Sequence, residues 1–161
     1  MNQRNNEAAN TADREIVTAR VFDAPRELVW KAWTDPKHVA QWWGPKGFTN
    51  TIHEMDVRPG GVWRFIMHGP DGTDYNNKIV FDEIVKPERL TYTHGSDDEP
   101  EQFRVTVTFA EQGGKTKLTM RALFPSAAEC EKVKKFGAVE GGIQTLDRLA
   151  EHLVKMRGEK A

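Results

Sequence analysis

The chain has one cysteine, Cys130, in 161 residues. That count excludes an intramolecular disulfide framework and a multi-cysteine zinc site, and the expected location is cytoplasmic. An excess of one charge sign is also missing. Lys and Arg number 23 against 24 Asp and Glu, a formal net charge of -1, with the two signs interleaved along the chain. Such a balance gives no electrostatic footprint for a nucleic-acid backbone, so nucleic acid is not an expected partner. Apolar runs fall far short of the ~20 residues that span a bilayer, and no membrane insertion is expected. The opening MNQRNNEAANTADREI lacks the apolar stretch of a signal peptide. Familiar catalytic signatures are missing too: no G-x-S-x-G, no phosphate-binding glycine loop and no H-E-x-x-H occurs. The five histidines, at positions 38, 53, 68, 94 and 152, have no metal-ligand spacing. No metal, no cofactor and no catalytic residue set is therefore expected.

Residues 1–12 are polar, small and Asn-rich, which predicts a disordered tail ahead of one domain over 13–157. Arg14 to Asp23 carries the β-branched content of a strand. Asp23 and Pro25 then open a helix whose Leu28, Val29, Ala32 and Trp33 share a face, and Asp35-Pro36 opens a second, ended by Gly44-Pro45. The period then changes to two. Strands are expected over 49–57, 62–68, 74–84, 89–94, 102–111 and 116–124, separated by RPGG, GPDG, KPER and QGG turns. A helical period returns after Pro125, breaks near Phe136-Gly137, and continues to about Lys155. Hairpin-length connections exclude a parallel sheet. The reading is an α+β domain in which one long C-terminal helix covers a curved antiparallel sheet.

Alternation assigns the inward face of that sheet. Trp63, Phe65 and Met67 share one side, opposed by Arg64 and His68. Phe103, Val105, Val107 and Phe109 align, as do Leu118, Met120, Ala122 and Phe124, then Leu90, Tyr92 and His94, and finally His53, Met55 and Val57. Two readings fit this aromatic- and methionine-rich face: a packed core, or the wall of an apolar cavity. Glu54 and Asp56 fall on the outward side, within reach of Arg58 or Arg64 for ion pairs. Adjacent Trp42 and Trp43 cannot both share one helix face, so one is expected on the sheet and the other at a cavity mouth or partner surface. The lysines at 132, 134 and 135 could lower the pKa of Cys130, though nothing else points to redox chemistry.

On the last helix, Val139, Ile143, Leu146, Leu149, Ala150 and Leu153 form the apolar stripe. Gly141 and Gly142 interrupt it, and each costs a helix interior roughly 1 kcal/mol relative to alanine. The pair either widens a space between helix and sheet or lets the two approach closely.

The runs FDAPRELVWKAWTDPKHVAQWWGPKGF, MDVRPGGVWRFIMHGPDG, IVKPERLTYT and VEGGIQTLDRLAEHL, in this order, resemble the heat-shock protein 90 ATPase activator-like family of the START-like (SRPBCC) superfamily. The resemblance spans Arg14 to Leu153 and implies the helix-grip fold: six to seven antiparallel strands wrapped around the C-terminal helix, with two short helices after the first strand. Where the family often has Glu-Gly-Trp, this chain reads Glu140-Gly141-Gly142, which implies a roomier interior. The leading functional expectation is a non-enzymatic binder of an apolar or amphipathic small molecule. Its cavity, between the C-terminal helix and the sheet, would be lined by Trp43, His53, Trp63, Phe65, Met67, Tyr75, Phe81, Tyr92, Phe103, Val105, Met120, Gly142 and Leu146. One alternative is a chaperone-interacting module, as the family name implies. Another is an enzyme of the cyclase or dehydratase kind, using His53, Tyr75, Tyr92 or His94 as acid-base groups. Either a monomer or a homodimer fits.

Overall fold

The computed structural model describes residues 12–99 and 101–160, with side chains to residue 158. Apart from Ala12, the expected N-terminal tail lies outside the described residues. Strand β1 (Glu15–Phe22) leads through Pro25 into helix α1 (Arg26–Thr34), which buries Leu28, Val29, Trp30, Ala32 and Trp33. Pro25, not Asp23, is the N-cap, its extended backbone fixing the entry to the helix. Asp23 instead pairs with Arg157, 3.7 Å away. Asp35 stops α1 and caps α2 (Pro36–Trp42), accepting a hydrogen bond from the Lys37 amide at 3.0 Å, with Pro36 in the first turn.

Six further strands follow: β2 (Thr49–Met55), β3 (Val62–His68), β4 (Asp74–Val85), β5 (Arg89–Gly95), β6 (Phe103–Gln112) and β7 (Lys115–Leu123). With β1 they form one seven-stranded antiparallel sheet in the order β1-β7-β6-β5-β4-β3-β2. Gly61 allows the β2–β3 connection to fold back: an added Cβ there would lie 1.9 Å from the Asp56 carbonyl oxygen. Helix α3 (Ala127–Lys135) is capped by Ser126, whose hydroxyl accepts from the Glu129 amide at 3.1 Å. Gly137, at φ +87°, takes the left-handed conformation that separates it from α4 (Ala138–Lys160). This is the expected helix-grip arrangement.

The core lies on the concave face. Trp63, Phe65, Ile79, Phe81, Leu90, Tyr92, Val105, Val107, Phe109 and Leu118 cluster there with Leu146, Leu149, Leu153 and Met156 of α4. The alternation expected for β3 holds: Trp63 and Phe65 are buried, while Arg64 points outward to Asp97 at 2.8 Å and Glu54 at 3.9 Å. Asp56 pairs with Arg58 at 2.7 Å.

Candidate functional site

Seven of the expected lining residues, Trp43, Trp63, Phe65, Phe81, Tyr92, Val105 and Leu146, are buried in that core. They fill the middle of the grip with side chains. Trp43 sits 4.9 Å from Trp63 and 5.4 Å from Trp33, ring centre to ring centre, both edge to face. Both adjacent tryptophans are buried, which corrects the expectation that one would reach a cavity mouth. The reason is that α2 ends at Trp42, so the extended backbone of Trp43 frees its ring from the helix face. Met67, Phe103 and Met120 are half-buried against the core.

His53 and Tyr75 are corrections of a different kind. A register shift between Ile52 and Glu54 breaks the alternation of β2 and leaves His53 exposed. Tyr75 is 47% exposed near the β3–β4 turn, its ring 6.0 Å from Phe48. The proposed acid-base set of His53, Tyr75, Tyr92 and His94 is therefore not assembled; only Tyr92 and His94 remain neighbours, 6.3 Å apart. A Cβ on Gly142 would meet Thr18 Oγ1 of β1 at 3.3 Å, and one on Gly141 would meet Pro45 at 3.5 Å. Of the two readings of the glycines, close approach of helix to sheet is the one seen at Gly142, while Gly141 makes an ordinary contact with the loop.

Space exists elsewhere. A groove of about 630 Å³ runs between the β5–β6 hairpin and α3. Phe103, Phe124, Pro125, Val133, Phe136 and Ala138 give it an apolar lining, and Glu99, Glu101, Gln102, Glu129 and Lys132 are its polar residues. Phe103 is one of the expected ligand contacts; Phe124, expected to face inward with β7, is buried and stacks on Phe103 at 5.0 Å. The remaining lining residues belong to turns, α3 and the first turn of α4, where alternation carries no information. The one available signal was the helix break at Phe136-Gly137, which leaves Phe136 83% exposed. Val139 and Ile143 were expected on the core face but are exposed, because α4 buries side chains only from Thr145 onward.

From the groove a series of rings leads to the core. His94 lies 4.8 Å from Phe103, 6.2 Å from Phe65 and 6.3 Å from Tyr92. Its Nε2 is 2.9 Å from Asn77 Oδ1. The Asn77 amide nitrogen donates to the Tyr75 carbonyl at 3.0 Å, so Oδ1 accepts and His94 carries its proton on Nε2. Burial pushes the His94 pKa down from 6.5 to about 4, and it pushes the Tyr92 phenol up beyond the ordinary range. At neutral pH both side chains are uncharged.

Other polar constellations stand apart from the groove. Thr51 Oγ1, His68 and Asp74 form a hydrogen-bonded line with both separations 2.7 Å, but none of the three lines the groove. His38 Nδ1 and His152 Nε2 are 3.0 Å apart across the α2–α4 contact. Cys130 is fully buried, out of reach of solvent. Among the described residues, no three His, Cys, Asp or Glu side chains are placed to hold a metal ion. No described helix is long and apolar enough to cross a membrane.

Several solved structures share this architecture. Protein Ms6760 from Mycobacterium smegmatis is similar at 25% identity and a TM-score of 0.82, covering 91% of this chain and 94% of its own. Protein CV1439 from Chromobacterium violaceum is similar at 28% identity and a TM-score of 0.73, covering 87% and 96%. The AHSA1-like protein from Aeromonas hydrophila matches in fold at 24% identity and a TM-score of 0.69, covering 89% and 94%. No curated protein matches the sequence. The family model described as Activator of Hsp90 ATPase homolog 1-like protein matches residues 23–154, from just before α1 to the later turns of α4. With the helix grip and the sequence match in agreement, the chain belongs to the Activator of Hsp90 ATPase homolog 1-like family.

Proposed function

We propose that this domain is a non-enzymatic cytoplasmic binder of a small apolar or amphipathic molecule, held in the groove between the β5–β6 hairpin and α3. The observation that carries the reading is the stacked Phe103–Phe124 pair lining a groove of about 630 Å³. That size falls within the roughly 300–1,000 Å³ of small-molecule sites. Phe103 forms the wall, and His94 and Phe65 continue the series of rings behind it. Affinity would come from apolar area removed from water, at about 25 cal/mol per Å². Native mass spectrometry of the purified protein, followed by an amide NMR titration with any molecule found, tests the reading. Shifts are expected at Phe103, Phe124, Val133 and Ala138. Shifts confined to α1 and α2 would reject this groove.

Two observations favour a second reading, a module that acts on a chaperone. The family description names an Hsp90 ATPase activator, and Phe136, Val139 and Ile143 expose apolar side chains around the α3–α4 junction. On this reading Hsp90 is retained in a pull-down and changes its ATPase rate, and Phe136→Ala abolishes both effects.

A further inference from the structure

Building on the groove as a small-molecule site, we infer that its ligand is an organic cation: an apolar body carrying a positively charged nitrogen. Three carboxylates, of Glu99, Glu101 and Glu129, line the groove against one ammonium, of Lys132. Among the described residues none of these four charges is held in an ion pair. Asp97, close by in sequence, is different: Arg64 lies 2.8 Å from it and Lys78 3.9 Å. The chain as a whole carries a formal charge of -1, so the negative excess of the groove is a local feature.

The apolar lining selects for the same ligand. Phe103, Phe124 and Phe136 all line the groove, and a benzene face attracts a cation through its quadrupole. Carboxylates and aromatic rings together favour an ammonium attached to an apolar body. An anion would meet three like charges. A neutral molecule of the same shape would bury its apolar part but leave the carboxylates uncompensated. A groove of about 630 Å³ takes a drug-sized molecule, not a peptide helix.

The test uses the full chain in low salt and three probes that share a phenylbutyl group, ending in trimethylammonium, tert-butyl or carboxylate. Isothermal titration should find the cation about tenfold tighter than its neutral isostere, with the carboxylate weakest. The advantage should shrink in high salt. The Glu101→Gln, Glu129→Gln double variant should lose the preference while still binding the neutral probe, with an unchanged melting temperature. Equal binding of cation and neutral isostere would overturn the inference and leave the groove reading intact. Tightest binding by the carboxylate, or a cation preference that the double variant keeps, would overturn it as well. If none of the three probes binds, the groove reading itself fails.

Discussion

His94 couples stability to pH through a single side chain. Its folded pKa is pushed down to about 4 by burial, from 6.5. Between those values the unfolded imidazole takes up a proton that the folded one refuses. Stability from this group is therefore fully present above about pH 6.5 and is lost as pH falls toward 4, by up to about 3 kcal/mol. Urea midpoints at pH 7 and pH 4.5 should drop less for His94→Leu than for the parent. Parallel drops would show that the acid sensitivity lies elsewhere. The helix glycines give a second prediction. At Gly141 an added methyl makes an ordinary contact with Pro45 at 3.5 Å, so Gly141→Ala should stabilise by about 0.5–1 kcal/mol through helix propensity. At Gly142 an added Cβ would press on Thr18 at 3.3 Å, so Gly142→Trp should overpack the contact with β1 and cost about 1–3 kcal/mol or more. A stabilised Gly142→Trp protein would restore the reading of open space there.

Elements are locked to one another by a few long polar side chains. Arg148 of α4 is the clearest case: Nη1 donates to the carbonyls of Trp43 at 3.2 Å and of Gly44 and Pro45 at 3.0 Å, and Nη2 to that of Gln41 at 3.1 Å. A helix end leaves carbonyls without intrahelical partners, and here a guanidinium from another helix satisfies the end of α2 and the loop beyond it. Asn50 works from the strand side, its amide donating to the carbonyls of Ala40 at 3.1 Å and Trp43 at 2.9 Å. Arg20 ties β1 to α4 by an ion pair with Asp147. Hydrogen bonds to a charged group contribute about 1.5–3 kcal/mol, so Arg148→Ala should destabilise by about that amount in chemical denaturation. Arg148→Lys should recover little of it, since an ammonium cannot span carbonyls that a planar fork reaches together. Full recovery by lysine would mean that the charge matters and the fork does not.

Across the whole molecule, two sets of aromatic side chains stand at opposite extremes of exposure. Trp33, Trp42, Trp63, Phe65 and Phe109 are at most 2% exposed and hold the grip closed, whereas Phe136 is 83% exposed at the groove. Phe65→Ala should cost about 3–5 kcal/mol, as a cavity opens among rings packed on both sides. Phe136→Ala should change stability by no more than about 0.5 kcal/mol yet weaken binding of an apolar probe. Measuring both quantities for both variants separates the two sets. Similar stability losses would place Phe136 in the core.

Much of the fold was legible because hydrophobic period and turn chemistry act over a few residues. The strand over Val62–His68 has the bounds its alternation predicts, Asp35-Pro36 starts a helix, and Phe136-Gly137 separates two. What failed locally failed where a neighbour intervened. A register shift against β3 turned His53 outward, and the end of α2 released Trp43 into the core. The pairing of β1 with β7 joins residues about a hundred positions apart, and no local signal encodes it. The groove depends on tertiary structure for the same reason. Its walls come from a hairpin, the segment just after β7, α3 and the first residue of α4. Periodicity says which face of an element avoids water; it does not say where two such faces stop short of touching. Sequence alone determined the elements, their order and most of the core. Only the packing of the curved sheet against α3 and α4 decided that the middle of the grip is filled with rings while space opens at the β5–β6 hairpin, because empty volume belongs to several elements at once.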